Sequence, residues 1–82
     1  MIKYFISYDL RNTRDYKKLY DELAKFKAIQ VLESLYCFKY QDDKTEELLD
    51  HFKKLIDKDD RLIVIKSAFW AGVVLDNSPN DL

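Results

Sequence analysis

The hydrophobic period of this chain switches between two residues and about 3.6 along its first 66 positions, and the order of those switches constrains the fold. Ile2 to Asp9, IKYFISYD, alternates: Ile2, Tyr4, Ile6 and Tyr8 share one face, Lys3, Phe5, Ser7 and Asp9 the other. It reads as a strand that ends in a carboxylate. From about Thr13 to Phe26 the period lengthens, and Tyr16, Leu19, Tyr20, Leu23 and Phe26 form one apolar stripe. Asn12 or Thr13 stands where such a helix takes its cap. Arg14, Lys17, Lys18, Asp21, Glu22 and Lys25 fall off the stripe, facing water.

Ala28 to Tyr40, AIQVLESLYCFKY, is too long for one ordinary strand and is rich in β-branched and aromatic residues. It divides into strands at about Ala28 to Leu32 and Leu35 to Tyr40, turning near Glu33 and Ser34. Asp43 with Glu46 has the spacing of a capping box. Leu48, Leu49, Phe52, Leu55 and Ile56 then mark a second helix, which DKDD at 57 to 60 stops. Arg61 to Lys66, RLIVIK, is an apolar strand bounded by charges. The order βαββαβ predicts an α+β, ferredoxin-like domain over residues 1–66: a four-stranded antiparallel sheet with two helices on one face.

Two helices cover only one face of that sheet, yet the strands are apolar on both. A second copy in an isologous dimer is the simplest cover for the other face. The tail, residues 67–82, offers Phe69, Trp70, Val73, Val74 and Leu75 as a further cover. It is expected to pack on its own or a partner's sheet, with room for an extra C-terminal edge strand.

At 82 residues there is one domain with a small core, and 48% hydrophobic residues exclude a disordered chain. Fourteen basic and fifteen acidic residues argue against a protein coated in positive charge, while leaving room for a local basic patch. No apolar run approaches a membrane span, and the first residues are polar too early for a signal segment. Cys37, the single cysteine, reads as a core hydrophobe, and a cytoplasmic protein is expected.

Chemistry has few places to sit. Asp9 closes the first strand, and Arg11, Arg14, Lys17 and Lys18 follow it as a candidate phosphate-binding patch. Strand-end aspartates also cap turns, and charged helix faces are commonly only solvated. Tyr36, Phe38 and Tyr40 alternate as a base-stacking platform would, although the cover over the sheet claims the same rings. His51, the only histidine, reads as a solvated residue beside the second helix stripe. With Gly72 the only glycine there is no phosphate loop, and neither a catalytic triad nor a zinc site is supported.

The order of elements, Tyr8 and Asp9 at the end of the first strand, the basic helix start and the segment ESLYCF at Glu33 to Phe38 together resemble the CRISPR-associated Cas-two family. Ser34, Leu35 and Tyr36 stand where that family has a Ser-Val-Phe motif. The resemblance implies a homodimer that handles nucleic acid, in some members as a metal-dependent nuclease. It implies that Asp9 of each protomer holds one Mg²⁺ shared across the dimer, with Tyr8 or Ser7 supporting it and Arg11 and Arg14 steadying phosphate. Gln30 and Leu32 stand where family members often carry an arginine and a glutamine, so that backbone-gripping arginine is missing. The other reading is a non-catalytic module in a defence setting that binds a protein partner or a small nucleotide, with its pocket near Trp70.

Overall fold

The computed structural model describes residues 1–11 and 16–82. Its elements are β1 Ile2–Asp9, α1 Lys17–Lys25, β2 Ile29–Leu32, β3 Leu35–Tyr40, α2 Thr45–Lys53 and β4 Arg61–Lys66, then a 3-10 turn Pro79–Asp81. The strands form one sheet in the order β2-β3-β1-β4, with antiparallel neighbours throughout. This is the ferredoxin-like arrangement. β1 and β3 occupy the centre, so each strand–helix–strand unit brackets a strand of the other.

Cross-strand partners share a face, which makes the core legible from the register. Tyr4 lies opposite Phe38, and Ile6 lies between Tyr36 and Val64. These side chains and Leu19, Leu23, Leu48 and Phe52 of the two helices form one buried cluster, so both helices pack on the same face. Phe26 wedges into it, with ring centroids 5.1 Å from Phe38, 5.4 Å from Tyr40 and 5.3 Å from Phe52. Tyr4 and Phe38 stack at 6.1 Å. The base-platform reading of Tyr36, Phe38 and Tyr40 is thereby corrected. Phe38 is completely buried and its two neighbours are packed against the core, because the helices claim that face.

The helix termini differ from expectation. α1 begins at Lys17, and the Asn12 or Thr13 cap lies outside the described residues. Its C-terminus closes without glycine: Lys27 adopts φ 56°, its amide donates to the Ala24 carbonyl, and the Ala28 amide donates to that of Leu23. Tyr20, placed on the buried stripe by its spacing, is exposed at the helix edge and meets Tyr8 edge-on. The capping box of Asp43 and Glu46 does not form. The Asp42 carboxylate instead accepts from the Asp43 amide, and the buried Tyr4 hydroxyl accepts from the Lys44 amide and donates to the Gln41 carbonyl. Those bonds start α2 at Thr45 with no side-chain cap.

His51 is not merely solvated. Its Nε2 contacts the Glu22 carboxylate at 2.5 Å, and because an ionised carboxylate only accepts, that nitrogen carries the proton. The ring lies against Phe26 and Phe52, so the pair ties α2 to α1.

The tail folds over half of the sheet's other face. The Ser67 amide donates to the Lys3 carbonyl, the Asp76 amide to Val31, and Asn77 Nδ2 to the Gln30 carbonyl. Pro79 is buried there, as are Val31 and Cys37, and Ser78 and Asp81 cap the 3-10 turn reciprocally. Ser67 extends the β4–β1 pairing by one bond, and the rest of the tail follows β2 through isolated bonds and ends in a 3-10 turn rather than a further strand. It leaves the β1–β4 half open: Ile63 is 54% and Ile65 46% exposed.

Two predictions follow from this packing. Phe38→Ala, which empties the centre of the aromatic cluster, is expected to cost about 3–5 kcal/mol in urea unfolding. The hydrogen bond from His51, with the nearby Lys25, holds the Glu22 carboxyl below its ordinary value against the opposing effect of burial. Its contribution is therefore complete above the unfolded carboxyl's pKa and lost as pH falls through the lower folded value. The stability advantage of wild type over Glu22→Gln should shrink as pH falls from about 5 toward 3.

Candidate functional site

Asp9 ends β1 on the face that the helices do not cover. Its side chain is 60% exposed. Register places Arg61, the first residue of β4, directly across from it, and Ser7 across from Ile63 on the same face. These residues border a shallow cavity of about 210 Å³ at the open end of the sheet. Sequence reasoning overlooked Arg61, since only the β1–β4 register brings it beside Asp9.

The loop beyond Asp9 is held by a residue that also went unnoticed. Asp60 Oδ1 accepts from the Arg11 amide at 2.7 Å and from the Tyr16 hydroxyl at 2.9 Å, and Oδ2 accepts from the Asp57 amide at 2.8 Å. The acidic run that reads as a helix stop is therefore the clamp on the loop carrying the candidate site. Among the described residues three donors from two connections meet this carboxylate, which fixes both at once.

Arg11 turns back onto Asp9, its Nε 3.3 Å from Oδ2. Lys17 pairs with Asp21 one turn along α1, at 2.5 Å, and Lys18 is exposed. Arg14 lies outside the described residues. The first turn of α1 carries no acidic residue and begins with two lysines, the reverse of what the helix dipole favours.

Tyr8 points the other way. Strand alternation sends it toward the helices, where its ring meets Tyr20 and Tyr36 edge-on at 6.3 Å and 6.2 Å. Burial first, and then hydrogen bonding with Tyr20 and Tyr36, pushes its hydroxyl well above the usual tyrosine range. It stays protonated at neutral pH and props the strand end, while Tyr8 also lines the shallow cavity beside Asp9. Its main chain adds to that, the Tyr8 amide donating to the Ser34 carbonyl at 3.2 Å.

Among the described residues no three His, Cys, Asp or Glu side chains gather as a metal-holding group. Asp9 offers one exposed hard oxygen ligand at this corner. That suits an ion which takes one or two carboxylates and completes its shell with water and phosphate oxygens, provided a second copy supplies the second carboxylate.

Two other cavities lie away from Asp9. One of about 340 Å³ runs between the tail at Trp70 to Leu75 and the sheet at Phe5, Val31 and Leu35. Another, of about 470 Å³, sits at the end of α1 against Phe26 and Tyr40, rimmed by Lys25, Lys27 and Lys39. No helix among the described residues is long and apolar enough to cross a membrane.

Residues 1–71 match the model of a family described as CRISPR associated protein Cas2. Among solved structures the chain is similar to a hypothetical protein, TT1823, from Thermus thermophilus. That likeness has a TM-score of 0.69 at 22% identity and spans 89% of each chain, which bears on the fold alone.

The Asp60 clamp makes its own prediction. Tyr16→Phe removes the hydrogen bond to Asp60 and should cost about 1 kcal/mol in urea unfolding, while Asp60→Ala leaves the Arg11, Tyr16 and Asp57 donors without this acceptor and should cost about 2–3 kcal/mol.

Proposed function

The chain belongs to the CRISPR associated protein Cas2 family, and from that premise we propose that it is a homodimer that handles nucleic acid and hydrolyses phosphodiester bonds with Mg²⁺. The observation that carries the reading is the placement of Asp9: exposed, on the open half of the sheet, beside Arg11 and Arg61 and next to uncovered apolar surface on β4.

Ile63 and Ile65 stand side by side with Ser7 and Phe5 across the β4–β1 ladder, an apolar strip that a second copy buries. A dyad through this corner brings the two Asp9 carboxylates toward one another. Asp9 of each protomer holds the ion, which when bound supplies an acidified water and charge neutralisation at the phosphodiester. Arg11, Arg61, Lys17 and Lys18 grip the backbone of the nucleic acid, and Tyr8 keeps the end of β1 in place. The balanced overall charge leaves room for a local patch of this kind.

A second reading has its own observation. In the tail Val74, a β-branched residue, sits at φ 54° and is 93% exposed, next to exposed Val73, and Phe69 of the same tail is exposed too. Strain and apolar exposure held together favour a surface kept for a protein partner. The two readings divide on Asp9, which the second does not use.

The test is cleavage of labelled RNA and duplex DNA with Mg²⁺, Mn²⁺ or chelator, beside Asp9→Ala and Ile63→Asp. Activity is expected to require the metal and to fall roughly 100-fold or more in Asp9→Ala, with the dimer intact by light scattering. Ile63→Asp should give an inactive monomer. Absence of cutting and of nucleic-acid binding in the wild type would overturn the reading, and cutting undiminished in Asp9→Ala would place the chemistry elsewhere.

A further inference from the structure

We propose that Arg11 is the built-in counter-ion of Asp9, which it leaves for phosphate when a divalent cation takes that carboxylate. The inference rests on the metal reading of Asp9 above and adds to it a residue that couples metal loading to nucleic-acid binding.

The geometry separates the two ends of Arg11. Its main chain is fixed, with the amide bonded to Asp60 at 2.7 Å and Asp60 braced in turn by Tyr16 and Asp57. Its side chain is held loosely. The Nε to Oδ2 distance of 3.3 Å exceeds the roughly 2.7–2.9 Å of a strong charge-assisted bond, and both groups are well exposed. Pairs of that kind form and break readily. The guanidinium therefore swings about an anchored backbone, with Asp9 as one resting place.

A guanidinium and a hard cation are alternatives at one carboxylate oxygen, because each is positive and each needs the same lone pairs. Arg61, facing Asp9 from β4, adds a second positive charge to a carboxylate that holds only one negative. A cation arriving there favours the Arg11 position away from Asp9. The released side chain presents a planar fork of N–H donors that matches phosphate oxygens. Lys17, by contrast, pairs with Asp21 on its own helix.

Linkage then fixes a reciprocal effect. Nucleic acid that draws Arg11 off Asp9 raises metal affinity by the factor through which metal raises nucleic-acid affinity.

The experiment is calorimetric titration of MnCl₂ into the full chain as wild type, Arg11→Ala, Arg11→Gln and Asp9→Ala. Anisotropy of a labelled single-stranded DNA is measured with and without Mn²⁺ on the same proteins. Both Arg11 variants are expected to bind Mn²⁺ about two- to fivefold more tightly than wild type. The factor by which Mn²⁺ tightens DNA binding should shrink in both. Arg11→Gln guards against a loss of packing, since it keeps a side chain of similar reach without the charge. Equal Mn²⁺ affinity in wild type and both Arg11 variants, or an unchanged coupling factor, would overturn the inference while leaving Asp9 as the ligand. A wild type that binds no Mn²⁺, or an Asp9→Ala protein that binds it undiminished, would overturn the inference and the metal reading together.

Discussion

Two helices of nine residues cover one face of a four-stranded sheet and no more, and this geometric limit governs the rest of the molecule. On the covered face one buried cluster gathers around Phe38 and Phe52, with Phe26 packed against it. On the other face the chain spends its last residues on the β2–β3 half, where Val31, Cys37 and Pro79 form a smaller buried layer. What stays open is the β1–β4 half, and Asp9 stands at its end. Structural need and candidate chemistry thus meet at one corner.

That corner depends on register. In an antiparallel ladder a slip of one residue sends every side chain to the opposite face. The pairing that sets Phe5 against Ile65 and Ser7 against Ile63 also sets Asp9 against Arg61. The apolar strip and the charged site are therefore held by the same hydrogen bonds, and the Asp60 clamp keeps the following loop in line with them.

Much of the fold was legible from periodicity. The strand boundaries at Leu32 and Leu35 and the turn between them follow from the length of an apolar run that no single strand accommodates. The helix ends were not legible. Lys27 closes α1 in a conformation usually left to glycine, and the Tyr4 hydroxyl, forty residues away in sequence, takes the amide that a capping side chain would have taken at α2. Face assignment on β3 also eluded the sequence, because Tyr36, Phe38 and Tyr40 suit a stacking platform and a core equally well until the helices are placed. Of the candidate site, Asp9 and the basic residues after it stood out as charges at the end of an apolar strand. Arg61 and Asp60 did not, since their roles come from strand pairing and from a contact between two loops.

The central claim is that Asp9 works as half of a site completed by a second copy. Native mass spectrometry of the protein with Mn²⁺ tests it most directly. The account predicts a dimer carrying one ion per two chains, with that ion absent from Asp9→Ala although the dimer persists. One ion on each monomer, or a dimer whose ion survives the loss of Asp9, would contradict it.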